Sequence, residues 1–239
     1  MNPTPPKWPY PTLFAHRGGG RHAPENTLAA MRVGRSHGFS AVEFDVKLSR
    51  DSVAILMHDD TLDRTANGAG AVASIDIARL ETLHANRGLE LTFPDEPIPR
   101  FSAVAKYLHG LGLIANIEIK PCPGREVETG RLVAELTAEL WLDRFVKPSV
   151  SSFSPAALIA ANSAAPDLPI GVLCEKPADE HWRLAAELGA VSLHCDQQHA
   201  DADLVRATHA KGLRLLAWTV NDAERAGELM RLGVDGLFT

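Results

Sequence analysis

Three carboxylates, two histidines and two cationic side chains stand at or near the ends of short β-prone runs in this chain. Glu43 and Asp45 lie two residues apart in Val-Glu-Phe-Asp-Val, a spacing that sends both carboxylates to one face of a strand and Phe44 to the other. Glu118 and Lys120 repeat the alternation in Asn-Ile-Glu-Ile-Lys-Pro, with Ile117 and Ile119 on the opposite face. His16 and Arg17 close the run Leu13 to His16, and His58 ends Ala-Ile-Leu-Met-His. Inward carboxylates are costly unless paired or metal-bound. Glu43, Asp45 and Glu118 form an oxygen-only ligand set that suits one divalent cation, Mg²⁺ or Ca²⁺, and suits zinc poorly. Plain ion pairs of Glu43 or Glu118 with Lys120 or Arg17 are the alternative. Two histidines beside a cation read as a general acid and a general base, because imidazole titrates near neutral pH. Arg17, with its planar fork, and Lys120 suit a substrate anion such as phosphate. The chemistry implied is metal-assisted displacement at phosphorus.

Such a set needs a scaffold that brings strand ends together. In the second half, β-prone runs begin at Ile170, Ala190, Leu213 and Val234, a repeat of 20 to 23 residues with amphipathic stretches between. That period accommodates a strand, a helix and two short loops, the pattern of parallel βαβ units. Asp201 to Gly212 reads as a helix capped by Asp201, with Leu204, Val205 and Thr208 inward. Asn221 to Gly233 reads as another, with Asn221 as N-cap, Ala223, Ala226, Leu229 and Met230 on one face, and Gly233 as stop. The first half offers strands at Leu13 and Val42, an extended run from Val53 to His58 and a helix from Asn26 to Gly38. Helices are also predicted over Phe101 to Leu111, Arg125 to Trp141 and Pro155 to Ala164, with strands at Leu113 and Ser149. Residues 59–100 break the period: polar and turn-rich, with one helical stretch near Ile75 to His84, they read as an insertion after strand two. Eight strands, all but the last followed by a helix, predict a (β/α)8 TIM barrel over residues 12–239. An open doubly wound sheet is the runner-up, but Gly18-Gly19-Gly20 lacks the glycine spacing of a dinucleotide site.

The chain of 239 residues, 45% hydrophobic and 23% charged, can bury a large core. Its net charge of −6, without a Lys/Arg run, argues against nucleic-acid binding and against stable membrane association. Any anionic ligand must then be held by local residues or a bound cation. Cys122, Cys174 and Cys195 are odd in number, widely spaced and without a CxxC, so they read as buried, reduced thiols. The N-terminus has no apolar signal segment, and the expected location is the cytoplasm. Prolines at 3, 5, 6, 9 and 11 predict an extended arm over residues 1–11, lying across the bottom of the domain.

The ordered motifs His16-Arg17-Gly18, Pro24-Glu25-Asn26-Thr27, Glu43-Phe44-Asp45, His58-Asp59, Arg64-Thr65, Glu118-Ile119-Lys120-Pro121, Ser152-Phe153, Trp218-Thr219-Val220-Asn221 and Gly233-Val234-Asp235-Gly236 resemble the glycerophosphodiester phosphodiesterase family. With Trp8-Pro9-Tyr10-Pro11, the chain looks most similar to the cytoplasmic bacterial branch associated with glycerol 3-phosphate uptake. The resemblance covers about residue 8 to the end. It implies a barrel with a small insertion after strand two and hydrolysis of small-molecule glycerophosphodiesters to glycerol 3-phosphate and an alcohol. Carried over by motif, His16 and His58 match the acid/base pair, Glu43, Asp45 and Glu118 the metal ligands, and Arg17 and Lys120 the phosphate contacts. Trp218 and Phe153 match aromatics of the substrate pocket, whereas Glu25 and Asn26 are expected to hold the first loop to the helix start.

Two features depart from or add to the family pattern. Family members usually run past the last strand with an Asp and a short helix, which implies a less protected seam for a chain stopping at Thr239. His194 and Asp196 are expected near the barrel mouth without an assigned role. A phospholipid-directed phosphodiesterase of the lysophospholipase D kind and a non-catalytic barrel that only binds ligand are the competing functions. Whether the protein is a monomer or a homodimer is left open by the sequence.

Overall fold

The computed structural model describes residues 8–239. Among them, strands and helices follow in the order β1 (Leu13–Phe14), α1 (Leu28–Ser36), β2 (Ala41–Leu48), β3 (Ala54–Leu56), α2 (Ile77–Leu80), α3 (Phe101–Leu111), β4 (Ile114–Ile119), α4 (Glu126–Leu140), β5 (Ser149–Ser152), α5 (Pro155–Ala164), β6 (Ile170–Leu173), α6 (Asp179–Leu188), β7 (Ser192–Asp196), α7 (Ala202–Ala210), β8 (Arg214–Trp218), α8 (Ala223–Leu232) and β9 (Gly236–Phe238). The sheet runs β1-β9-β8-β7-β6-β5-β4-β2, every pair parallel. A parallel bridge between Ala15 and Val42 joins its two ends. There the Ala15 N–H donates to the Ala41 carbonyl and the Glu43 N–H to the Ala15 carbonyl, both at 3.0 Å. Closure removes the unpaired edges and defines a (β/α)8 barrel.

The run from Val53 to His58 does not join the ring. Its central residues form β3, antiparallel to β2 with Val46 opposite Leu56. The chain then leaves the barrel for a segment with an apolar cluster of its own, including Ile55, Leu62, Val72, Leu80 and Ile98. The helix predicted near Ile75 to His84 is only one turn, α2. It stops because the Thr82 hydroxyl donates to the Arg79 carbonyl at 2.7 Å and the His84 N–H donates to Asn67 Oδ1 at 2.9 Å, in place of a helical carbonyl.

Between ring and helices, Phe44 packs against Phe101, which stacks on Trp141. In α7, Asp201 caps as expected, and Val205 and Thr208 are buried. In α8 the cap is Asp222, not Asn221: its Oδ1 accepts from the Arg225 N–H at 2.8 Å. Of the face expected inward, Leu229 is buried and Ala226 partly so, whereas Ala223 and Met230 lie exposed. At the N-terminal ends of the strands, Tyr10 packs with Phe14, Ala41 and Phe238 and donates its hydroxyl to the Lys147 carbonyl at 2.8 Å. Pro3, Pro5 and Pro6 of the predicted arm lie outside the described residues.

Candidate active site

The first loop carries two non-glycine residues in the left-handed region, Arg17 at φ 52° and Asn26 at φ 60°. Each costs of order 1 kcal/mol, a strain usually retained where side-chain direction matters. The turn between them lies flat on α1, where a Cβ at Gly34 would stand 2.0 Å from the Gly18 carbonyl oxygen. Thr27 starts that helix by accepting from the Ala30 N–H at 3.1 Å. So anchored, Arg17 donates its N–H to Glu43 Oε2 at 3.0 Å. Asn26 grips Asp45 twice: Nδ2 donates to Asp45 Oδ2 at 2.8 Å, and Oδ1 accepts from the Asp45 N–H at 3.1 Å.

Glu43, Asp45 and Glu118 are all buried, and one oxygen of each lies within 4.8 Å of the others. Adjacent parallel pairing sets Asp45 directly across from Glu118. Burial, with Asp45 and Glu118 beside it, pushes the Glu43 carboxyl well above its ordinary value. Burial and Asp45 raise Glu118 to about 7, although Lys120 and Arg17 oppose the shift. Asp45 goes the other way: burial would raise it, but His58, Lys120, Arg17 and Asn26 together hold it below the usual carboxylate range. Three carboxylates that cannot all ionise comfortably, offering hard oxygen donors around one point, fit a divalent cation. The alternative ion pair is present too, since Lys120 Nζ donates to Glu118 Oε1 at 2.9 Å and lies 3.7 Å from Asp45. It neutralises part of the cluster only.

His16 Nε2 is 3.9 Å from Glu43 Oε2. Its pKa falls to about 4 through burial and the neighbouring Arg17. His58 Nδ1 pairs with Asp59 Oδ1 at 2.6 Å, which leaves Nε2 as the nitrogen available to a ligand. That carboxylate favours the charged ring, but burial outweighs it and the His58 pKa is lowered. Asp60, which the sequence also sets beside His58, instead pairs with the fully buried Lys47 at 2.8 Å.

Arg64 was missing from the expected site, and the structure places it against both His58 and Arg17 through carboxylates. Its guanidinium donates to Asp59 Oδ2 at 2.6 Å and to both oxygens of Glu25 at 2.7 and 2.8 Å. Glu25 in turn accepts from Arg17 at 2.8 Å. Arg64-Thr65 stood among the resemblance motifs, but nothing in its spacing announced a partner 39 residues away. The same holds for Asn26, whose grip on Asp45 goes beyond holding loop to helix.

The other predicted residues form the rim and walls. Phe153 is 43% exposed; it meets Trp218 edge-on at 5.5 Å and lies under Lys120 Nζ at 5.6 Å. His16, Arg17, Glu43, His58, Glu118, Lys120, Phe153 and Trp218 line one cavity of about 110 Å³ at the C-terminal ends of the strands, with Asp45 beside the other two carboxylates. His194 also lines it, but from inside the barrel rather than at the mouth, and is fully buried. Asp196 caps the short 3₁₀ turn 197–199 by accepting from the Gln198 N–H.

A closed barrel presenting carboxylates, histidines and cations at its C-terminal face defines an α/β-barrel hydrolase site of the phosphodiester class. The sequence profile of the glycerophosphoryl diester phosphodiesterase family matches residues 16–239, and the chain belongs to that family. A glycerophosphodiester phosphodiesterase of Caldanaerobacter subterraneus is 32% identical over 95% of this chain and 93% of its own length. A phosphodiesterase of Oleispira antarctica, solved in complex with the product sn-glycerol-3-phosphate, superposes with a TM-score of 0.89 at 31% identity, covering 95% of this chain and 92% of that one. A glycerophosphodiester phosphodiesterase of Agrobacterium tumefaciens gives 0.80 at 27% identity, over 96% of each chain.

Proposed function

We propose that the protein hydrolyses glycerophosphodiesters to glycerol 3-phosphate and an alcohol, with 12–239 as one catalytic unit and 59–100 as an insertion within it. The observation that carries this reading is the convergence of two histidines, two cations and two buried carboxylates on a single cavity, with the third carboxylate, Asp45, beside them. Family membership and the product-bound relative support the substrate class.

Glu43, Asp45 and Glu118 would hold one divalent cation, Mg²⁺ or Ca²⁺. Bound there, it supplies positive charge to offset the charge gathering on phosphate oxygens in the transition state. Arg17 and Lys120 bind the phosphodiester anion and orient phosphorus toward the histidines. Phe153 and Trp218 form an apolar wall that excludes water from the reacting side. One neutral imidazole takes the proton from the attacking oxygen as it bonds to phosphorus. The other histidine, protonated, gives its proton to the departing alkoxide; the first is left protonated and the second neutral, and proton exchange with solvent returns the pair to its starting state. Asp59 holds His58 through Nδ1 and so presents Nε2 to the cavity.

A non-catalytic barrel would have no need of both histidines on the cavity wall. A phospholipid-directed enzyme would need an extended apolar or basic rim, whereas here Glu25 and Asp59 balance the charges of Arg17 and Arg64 beside the cavity. Among the described residues no helix is long and apolar enough to cross a membrane. The three cysteines are buried and unpaired, which supports the cytoplasm as the working location. The test is release of glycerol 3-phosphate from glycerophosphocholine and glycerophosphoethanolamine, with and without EDTA. Metal-dependent release from either is expected; no release from both would overturn the reading, and full activity in His16→Ala and His58→Ala would overturn the mechanism.

A further inference from the structure

His194 is the one titratable side chain on the cavity wall to which the proposed reaction assigns nothing. It is fully buried inside the barrel, and its ring lies 5.3 Å from that of Phe238. Nε2 pairs with Ser192 Oγ at 2.8 Å. Nδ1 is buried with no hydrogen-bond partner, and so is Nε1 of Trp218 on the same cavity. Buried polar atoms left unpaired are rare and costly, so two on one cavity mark where a ligand or water belongs. The position is also built for: a Cβ at Gly171 would stand 2.7 Å from His194 Nε2, so the bare glycine makes room for the imidazole.

The ring is neutral at ordinary pH, since burial lowers its pKa to about 3. A neutral imidazole with Nε2 committed to a hydroxyl offers, at Nδ1, either one donor or one acceptor according to its tautomer. An alcohol can answer both, whereas an ammonium can only donate and a phosphate oxygen can only accept. Burial along the cavity orders the rest of the ligand. Phe153 at the rim is 43% exposed, the side chains of Arg17 and Lys120 are 19% and 24% exposed, and His194 is at 0%. A phosphodiester held by Arg17 and Lys120 therefore has one arm pointing outward, where any alcohol fits, and one pointing inward.

We infer that His194, through Nδ1, forms a hydroxyl-recognition subsite at the deep end of the cavity and selects phosphodiesters whose inner arm ends in a free alcohol. This rests on the reading of the protein as a glycerophosphodiesterase and adds the residue that reads the glycerol end. His194 is a specificity residue and takes no part in proton transfer.

The test compares glycerophosphocholine with its deoxy analogue, in which the terminal CH₂OH of the glycerol arm is CH₃. The wild-type protein is expected to prefer the first by about 10-fold or more in kcat/KM, as a site with an unpaired polar atom discriminates against a missing hydroxyl. In His194→Leu that ratio falls toward unity, chiefly through a raised KM for glycerophosphocholine. An unchanged ratio in the variant, or none in the wild type, overturns the inference. A second measurement needs no turnover and no folded variant. In ¹⁵N-histidine-labelled wild type, the His194 Nδ1 resonance is expected to shift with glycerol 3-phosphate and not with 1,2-propanediol 1-phosphate. The same response to both overturns the subsite, even if neither diester is hydrolysed and the proposed reaction fails separately.

Discussion

Glu25 Oε1 accepts hydrogen bonds from Arg17 and from Arg64, at 2.8 and 2.7 Å. This shared carboxylate oxygen ties a phosphate-binding residue of the first loop to a residue of the segment after β3. Arg64 continues to Asp59, and Asp59 to His58. A chain of alternating charges thus runs from Arg17 around the cavity mouth to one of the two histidines. Exposed ion pairs contribute little to stability, and the value of this chain lies in orientation.

Arg64→Ala is accordingly expected to lower kcat by about 10- to 100-fold with little change in melting temperature, because misplaced catalytic groups cost rate rather than folding. Arg64→Lys keeps the charge but loses the two-sided fork and should recover only part of the rate. Steady-state kinetics beside thermal melts check this; a loss of Tm that matches the loss of activity would assign Arg64 a structural role instead.

Asn26→Ala removes both contacts to Asp45 and puts alanine at φ 60°. Left-handed strain of about 1 kcal/mol and an unanswered buried carboxylate of about 1–3 kcal/mol both act against folding. Weakened orientation of a ligand should also cost about 10- to 100-fold in cation affinity. Calorimetric titration with Ca²⁺ and Mg²⁺, paired with urea unfolding, separates the two effects.

The carboxylate cluster should make stability respond to cations. At about 100 times the dissociation constant, a cation bound only by the folded state adds about 2.7 kcal/mol. In Glu43→Gln, removal of the carboxyl whose pKa burial and its neighbours raise should leave the metal-free protein as stable or more so. The stabilisation by added cation should be largely lost. Melting curves with EDTA and with excess Mg²⁺ or Ca²⁺ report both.

His194 should make part of the acid sensitivity. Its pKa in the folded protein is about 3, against 6.5 for the exposed group, so between those values the unfolded chain binds the extra proton. The sign follows: stability is fully retained above about pH 6.5 and declines as pH falls toward 3. His194→Gln removes that proton uptake, so its stability deficit relative to wild type should narrow from pH 7 to pH 4. Urea midpoints of both proteins across that range are the measurement.

Much of this molecule is written in local order. The alternation that puts Glu43 and Asp45 on one face and Phe44 on the other is a property of any strand, and the 20- to 23-residue repeat after Ile170 carries strand, helix and loop in turn. These local rules are enough for eight ring strands, their helices and the inward direction of the three carboxylates. Where two local choices compete they are insufficient, as at Asn221 and Asp222, either of which can cap. The difference is decided by which side chain reaches the third N–H. A single turn at α2 likewise reflects a hydrogen bond from the His84 N–H to Asn67 and one from the Thr82 hydroxyl to the Arg79 carbonyl, which no helical periodicity encodes.

What only the tertiary structure decided are the contacts across distant parts of the chain. Asn26 on Asp45, Arg64 between Asp59 and Glu25, and Asp60 on Lys47 instead of His58 depend on how the loop after β1 and the segment after β3 fold back over the barrel. The depth of His194 is of the same kind: barrel closure and the missing side chain of Gly171 set it inside, where its position near a strand end had suggested the mouth. Sequence spacing specifies direction along one strand, because the backbone repeats every two residues. It carries no distance between strands, and hydrogen bonds and pKa values depend on that distance.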